Sequence, residues 1–167
     1  MGQKRPNIIS PRRRATDIGH TFANNLYHIV YSTKGRRRAL KPDVRARLFP
    51  YIGGIARNAG GSAVSVGGVE DHVHMLVRID PDVAVSNFLS KLKSNSSRWI
   101  AQEFPAIAWF GWQSGYACFT VSESRAQDVM AYIENQETRH ADMVYEEELS
   151  YLLLRHKVPF DREAFLD

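Results

Sequence analysis

Apolar positions along the chain recur at two periods, and the order of those periods predicts the fold. From Glu70 to Ile79 the period is two: Val73, Met75, Val77 and Ile79 alternate with His72, His74, Leu76 and Arg78. Successive side chains on a strand take opposite faces. The segment therefore predicts a strand with one apolar face, suited to a core, and one face carrying two imidazoles side by side. Leu26 to Ser32 is rich in β-formers and predicts an earlier strand, Ala63 to Val69 a second that meets the His-x-His strand as a hairpin, and Gly115 to Val121 a fourth. Between these segments the period lengthens to that of a helix. Residues 43–58 turn Val44, Leu48, Tyr51, Ile52 and Ile55 inward; Pro50 is expected to kink or interrupt this helix, and Gly60-Gly61 to end it. Residues 83–102 bring Val85, Phe88, Leu89, Leu92, Trp99 and Ile100 near helical spacing. Ser124-Arg125-Ala126-Gln127 has capping-box form and should open a third helix with Ala126, Val129, Met130 and Ile133 on one side. His140 to Val158 is expected to be helical and acidic, anchored by Tyr151-Leu152-Leu153-Leu154.

The order is β-α-β-β-α-β, then helix. The first six elements match the ferredoxin-like pattern, an α+β fold whose antiparallel sheet carries both helices on one face. Those helices are expected to cover the Val73/Met75/Val77/Ile79 face. The face with His72 and His74 is left for chemistry or for the third, C-terminal helix.

Composition narrows the class. A chain of 167 residues that is 44% hydrophobic suits one compact domain. We place that domain at residues 20–167, after a flexible basic arm at 1–19 that contains Pro6, Pro11 and Arg12-Arg13-Arg14. No apolar run approaches the roughly 20 residues that span a bilayer, and Met1-Gly2-Gln3-Lys4-Arg5-Pro6 leads into no hydrophobic signal segment. No membrane partner and a cytoplasmic location are expected. Cys118 is the one cysteine, which excludes an intrachain disulfide and argues against a cysteine-based zinc site. Net charge is +4, unevenly spread: the first 14 residues hold five basic and no acidic residues, whereas residues 123–167 hold five basic and eleven acidic. A basic arm and mildly basic body fit a polyanionic partner, although uneven surface charge is common in proteins without one.

The chemistry lies in a few residues. Two histidines at i and i+2 on a strand can share one metal ion; alone, the pattern more often marks two satisfied imidazoles. Tyr132 and Gln136 are i and i+4 on the third helix, hence neighbours on one face. Alone, they would be an aromatic at the edge of a packed face and an exposed amide. Together the four residues make a coherent phosphoryl-transfer site. His72, His74 and the Gln136 oxygen would hold one divalent cation, and Tyr132 would supply a phenolic nucleophile. A phenol with a pKa of about 10 is mostly protonated at neutral pH, a weakness that a metal polarising the phosphate offsets. The ligand set is formally neutral, so Mg²⁺ should bind weakly without a phosphate and Mn²⁺ should suit the imidazoles better.

This combination resembles the single-tyrosine HUH transposases of the insertion-sequence-two-hundred-like family, encoded by the smallest bacterial insertion sequences. The resemblance runs from His20 to about residue 150 and rests on five matches in order. These are the first strand around Asn25-Leu26-Tyr27-His28-Ile29-Val30-Tyr31, the Glu70-Asp71-His72-Val73-His74 strand, Leu92-Lys93-Ser94-Asn95-Ser96-Ser97-Arg98-Trp99, the fourth-strand segment Trp112 to Ser122, and Tyr132-x-x-x-Gln136. It implies that Tyr132 attacks a phosphodiester in single-stranded DNA, giving a 5′-phosphotyrosine link and a free 3′-OH, with His72, His74 and Gln136 as metal ligands. It also implies a homodimer that recognises hairpins at element ends, in which the tyrosine helix of one subunit can complete the site of the other. No small-molecule cofactor is implied. The long arm before His20, and Ala117-Cys118 where Gly-Ala is expected, are departures; both residues are small.

Secondary candidates surround this set. Lys91, Lys93 and Arg98, with Lys34, Arg36 and Arg37, would contact phosphates, although solvated helix faces and loops are often basic. Trp112 and Tyr116 would stack on bases or pack in the core. His140 is a spare neighbour of the site, and Cys118 reads as core packing. The alternative functions are a domesticated or inactive relative that binds DNA hairpins without transposing, and a ferredoxin-like RNA-binding module with incidental histidines. An intact His72/His74/Tyr132/Gln136 set argues against both.

Overall fold

The computed structural model of the chain describes residues 22–141 and 143–161. The arm expected at 1–19 lies outside the described residues. Strand β1 (Leu26–Ser32) leads into helix α1 (Pro42–Asn58), the hairpin β2 (Gly61–Gly68) and β3 (His72–Ile79), helix α2 (Val85–Glu103) and strand β4 (Ala117–Thr120). Three helices follow: α3 (Ala126–Glu134), the single turn α4 (Gln136–Arg139) and α5 (Tyr145–Arg155). The four strands form an antiparallel sheet in the order β2-β3-β1-β4. This is the ferredoxin-like arrangement expected from the element order. No helix among the described residues is long and apolar enough to cross a membrane.

The alternation in β3 sorts the sheet into two faces. Val73, Met75, Val77 and Ile79 join Ile29 and Tyr31 of β1 in the main core, against Leu48 and Ile52 of α1 and Phe88, Leu89 and Leu92 of α2. The other face is covered rather than free. Ala126 and Ile133 of α3 pack on Leu26 and Leu76. Tyr145, Leu149, Leu152 and Leu153 of α5 pack on Val30, Ala117 and Phe119. The histidine face is therefore roofed by the C-terminal helices.

Tyr51, expected inward, and Tyr151 and Leu154, expected as anchors, are exposed; three further local expectations need correction. Helix α1 runs through Pro50 without interruption. The carbonyl that an N–H at position 50 would serve belongs to Ala46, and both residues are exposed, so water can satisfy it. The capping box at Ser124 does not form: a 3₁₀ turn over Glu123–Arg125 precedes α3, and no side chain caps that helix. The Ser124 hydroxyl pairs instead with Ser122, 3.0 Å away. Tyr132 and Gln136 are also not on one unbroken helix, because Asn135 (φ −92°, ψ 17°) separates α3 from α4. Backbone bonds from Asn135 to Ala131 and from His140 to Gln136 carry the helical path across the break. The i, i+4 neighbourhood thus survives it.

Candidate active site

Register in the sheet sets the first half of the site. His72 pairs with Ser32 and His74 with Val30. Residues directly opposite share a face, so both imidazoles point to the side covered by α3 and α5. His72 and His74 are fully buried, and Gln136 and Glu148 are 1% exposed.

Glu148 is the centre of the cluster. Its Oε2 accepts from His140 Nε2 at 2.7 Å and His74 Nε2 at 3.2 Å, and His72 Nε2 lies 3.3 Å away. Its Oε1 accepts from Gln136 Nε2 at 2.8 Å and from the Tyr132 hydroxyl. The Gln136 oxygen accepts from His72 Nε2 at 3.3 Å. Behind the histidines, Asp71 Oδ1 lies 2.7 Å from His72 Nδ1, and His28 Nε2 lies 3.0 Å from His74 Nδ1. The Tyr132 ring meets the rings of His28 and His74 edge-on at 5.8 Å each, with the Arg139 guanidinium 4.3 Å from its centroid on α4.

These contacts decide the charges. Burial works to raise the Glu148 pKa, but hydrogen bonds from His140, His72 and His74 outweigh it and hold the carboxyl well below its usual range. Burial likewise opposes protonation of His72, yet its bonds to Asp71 and Glu148 win and raise it to about 9. Burial and the neighbouring His74 push His28 down to about 3, and burial lowers His74. Tyr132 is raised, by burial first and then by the Glu148 carboxylate that its hydroxyl faces. In this arrangement the phenol keeps its proton.

The donor set fits a divalent cation. One ligand atom each from His72, His74 and Glu148 lies within 4.8 Å of the others, and all three residues are buried. Two imidazole nitrogens and a carboxylate oxygen, with the Gln136 amide alongside, suit Mn²⁺ and are compatible with Mg²⁺.

The structure brings His72, His74, Tyr132 and Gln136 together within one chain, and adds His140. It adds two residues that sequence reasoning missed. His28 faces the site because β1 alternates in step with β3. Glu148 sits in the acidic run Glu146-Glu147-Glu148, but at a position of the buried stripe Tyr145, Glu148, Leu149, Leu152 and Leu153. A carboxylate at an apolar helical position was the available signal.

The basic and aromatic candidates divide. Lys34, Arg37, Lys91 and Arg98 are exposed. Arg37 stacks on Trp109, 4.9 Å from the ring centroid, and Arg36 forms an ion pair with Glu146 of α5. Lys93 donates to the carbonyls of Gln113, Ser114 and Gly115 at 2.9, 3.3 and 2.6 Å, so it fixes the loop before β4. Trp112 is corrected to a core residue: it is 8% exposed, and its indole N–H donates to Ser96 Oγ at 2.8 Å. Its remaining exposed edge borders the groove beside α2. Tyr116 is 43% exposed. With Lys34, Ser90, Lys93 and Gln113 it lines a groove of about 510 Å³ between α2 and that loop. Cys118 is partly buried and its thiol is pushed up to about 11 by burial, which fits packing rather than chemistry.

The chain is similar in sequence and fold to known transposases. The family model described as "Transposase IS200 like" matches residues 21–136. The ISDra2 transposase TnpA of Deinococcus radiodurans is 30% identical over 134 residues, which cover 77% of this chain and 95% of the relative. The transposase for insertion sequence element IS200 of Salmonella typhimurium is 29% identical over 124 residues, 71% of this chain and 81% of the relative. A crystal structure of a transposase from Deinococcus radiodurans superposes with a TM-score of 0.57 at 29% identity, covering 72% of this chain and 97% of that one. A REP-associated tyrosine transposase bound to a REP hairpin shares the fold, with a TM-score of 0.55 at 13% identity over 79% of this chain and 74% of that chain. The family match spans the whole sheet, both histidines and the tyrosine helix, and on that evidence the chain belongs to the IS200-like transposase family.

Proposed function

We propose that this DNA-processing enzyme cuts and rejoins single-stranded DNA at the ends of a mobile element, through a 5′-phosphotyrosine intermediate that requires a divalent metal. The observation that carries this reading is convergence. The Tyr132 hydroxyl and the Nε2 atoms of His72 and His74 meet on one buried carboxylate, Glu148.

His72 and His74 would hold the ion through Nε2, with Glu148 as an anionic ligand and the Gln136 oxygen beside it. The carboxylate gives the set a negative charge, so the neutral trio His72, His74 and Gln136 becomes a four-residue set better matched to Mg²⁺ or Mn²⁺. The bound cation would polarise the phosphodiester and stabilise the charge that builds on it. Tyr132 supplies the attacking oxygen. Its O–P bond forms as the bond from phosphorus to the 3′ oxygen breaks; the phenolic proton departs and the released 3′ oxygen gains one. Attack by another 3′-OH on the phosphotyrosine reverses the step and rejoins the strand. The Arg139 guanidinium over the tyrosine ring and the His28 and His74 imidazoles that meet it edge-on hold the nucleophile in place.

The partner would be single-stranded DNA with hairpin ends, a reading supported by the hairpin that the REP-associated transposase binds. Exposed Lys34, Arg37, Lys91 and Arg98 supply phosphate contacts, and Tyr116 supplies a stacking face over the groove beside α2. The basic residues of 1–19 add charge without chemistry. The homodimer remains part of the proposal; each subunit would carry a site complete within its own chain. The test is cleavage of labelled single-stranded element-end DNA. Excess chelator should stop it, Mg²⁺ or Mn²⁺ should restore it, and undiminished cutting in chelator would overturn the metal reading.

A further inference from the structure

The second nitrogen of each site histidine is held, and the two are held differently. His72 Nδ1 faces a carboxylate, Asp71 Oδ1, at 2.7 Å. His74 Nδ1 faces another imidazole, His28 Nε2, at 3.0 Å. His28 sits on β1 opposite Leu76, which makes it the diagonal neighbour of His74 on the same face. It is 4% exposed, and its ring stacks on that of His74 with centroids 5.2 Å apart and planes inclined by 28°.

We propose that His28 is a positioning residue for the metal site: its Nε2 holds the His74 ring so that His74 Nε2 faces the ion. The proposal rests on the metal reading above. Its logic is the tautomer that ligation demands. Without an ion, His74 Nε2–H points at Glu148 Oε2, 3.2 Å away, so Nδ1 is the acceptor and His28 Nε2–H donates. With an ion at Nε2, the His74 proton sits on Nδ1 and the same bond reverses: His28 takes its other neutral tautomer, with its proton on Nδ1 and Nε2 accepting. A ligating histidine needs such a partner to fix its ring and tautomer. A carboxylate can only accept and a lysine can only donate, whereas a neutral imidazole does either. His28 therefore fits both the empty and the loaded site without moving, and its edge contact with Tyr132 ties that orientation to the nucleophile.

The test compares Mn²⁺ binding, read from the loss of the free-ion electron paramagnetic resonance signal without DNA, in the wild type, His28→Gln, His28→Leu and His72→Ala. A glutamine amide can present either oxygen or nitrogen and should keep affinity near that of the wild type. Leucine fills the space without a polar atom and should lose about 10- to 100-fold. Equal binding by His28→Leu, or equal losses in His28→Gln and His28→Leu, would overturn the proposal. Equal binding by His72→Ala would instead remove the metal reading itself, and this proposal with it. Should His28→Leu fail to fold, the wild type supplies its own readout. With Mg²⁺ and ¹⁵N-labelled histidine, nuclear magnetic resonance should show a coupling across the hydrogen bond between His74 Nδ1 and His28 Nε2. No coupling in the loaded protein would overturn the proposal.

Discussion

Gly67 of β2 and Ile133 of α3 approach so closely that a Cβ on Gly67 would lie 2.5 Å from the Ile133 carbonyl oxygen and 2.8 Å from its Cγ2. Ile133 is the residue after Tyr132, so the bare backbone at Gly67 sets the depth at which the tyrosine helix rests on the sheet. Gly67→Ala would push backbone against backbone and lift α3, at a cost of about 1–3 kcal/mol. We expect a lower melting temperature, normal hairpin binding and cleavage slowed at least about tenfold, since misplacing a nucleophile by an ångström can cost about a hundredfold. A single-turnover cleavage assay checks this; wild-type rates would show that the depth of α3 does not matter.

Replacing the buried carboxylate should expose its double role. Glu148→Gln keeps the shape but removes the charge that His72, His74 and His140 share. Mn²⁺ affinity measured by calorimetry should fall by about tenfold or more, and covalent adduct formation with it. Unchanged affinity would leave the histidines and Gln136 as the whole ligand set.

His72 gives the metal-free protein a signed pH dependence. Its pKa is raised to about 9 against an ordinary 6.5. The stability it contributes is therefore fully present below pH 6.5 or so and is lost as pH rises through about 9. Denaturant melts in chelator, comparing wild type with His72→Gln between pH 6 and 9.5, should show the wild-type advantage shrinking with pH. An advantage that grows with pH would mean that His72 is neutral in the folded chain.

How far the sequence could be read follows from what each residue's neighbours are. The period-two run in β3 sorts apolar side chains from imidazoles, and the helical stripes of α1 and α2 answer to one buried face each, so sheet, layers and the face that carries the histidines were legible. Tyr132 and Gln136 were legible through spacing and a family pattern. Glu148 was not, because its meaning depends on α5 folding back over the sheet and because its neighbours Glu146 and Glu147 make it look like part of a solvated face. Trp112 was open between core and DNA until Ser96, sixteen residues away, supplied its hydrogen-bond acceptor. The uninterrupted path of α1 through Pro50 depended on which side of the helix faced water.

The N-terminal arm gives a prediction about salt. Residues 1–19 carry five basic residues and one acidic residue, Asp17. Each phosphate neutralised contributes about −0.7 to the log–log salt slope on single strands and about −0.9 on duplex. Deleting the arm should flatten the salt dependence of binding while the cut position stays the same. A shifted cut would mean that the arm reads sequence.

The arrangement within one chain can be separated from a shared one by mixing His72→Ala with Tyr132→Phe, each inactive alone. With sites complete inside each chain, every site in the mixture keeps one defect and cleavage should not return. Recovery after verified subunit exchange would assign the working site to two chains.

The most direct measurement of the central claim is the identity of the residue that carries the DNA. Wild-type protein incubated with single-stranded element-end DNA and Mn²⁺ should yield a protein–DNA adduct on a denaturing gel. After nuclease and protease digestion, mass spectrometry should locate a nucleotide joined through its 5′ phosphate to the peptide containing Tyr132, and Tyr132→Phe should bind DNA but form no adduct. An adduct of full strength from Tyr132→Phe, or a nucleotide on another residue, would contradict the account.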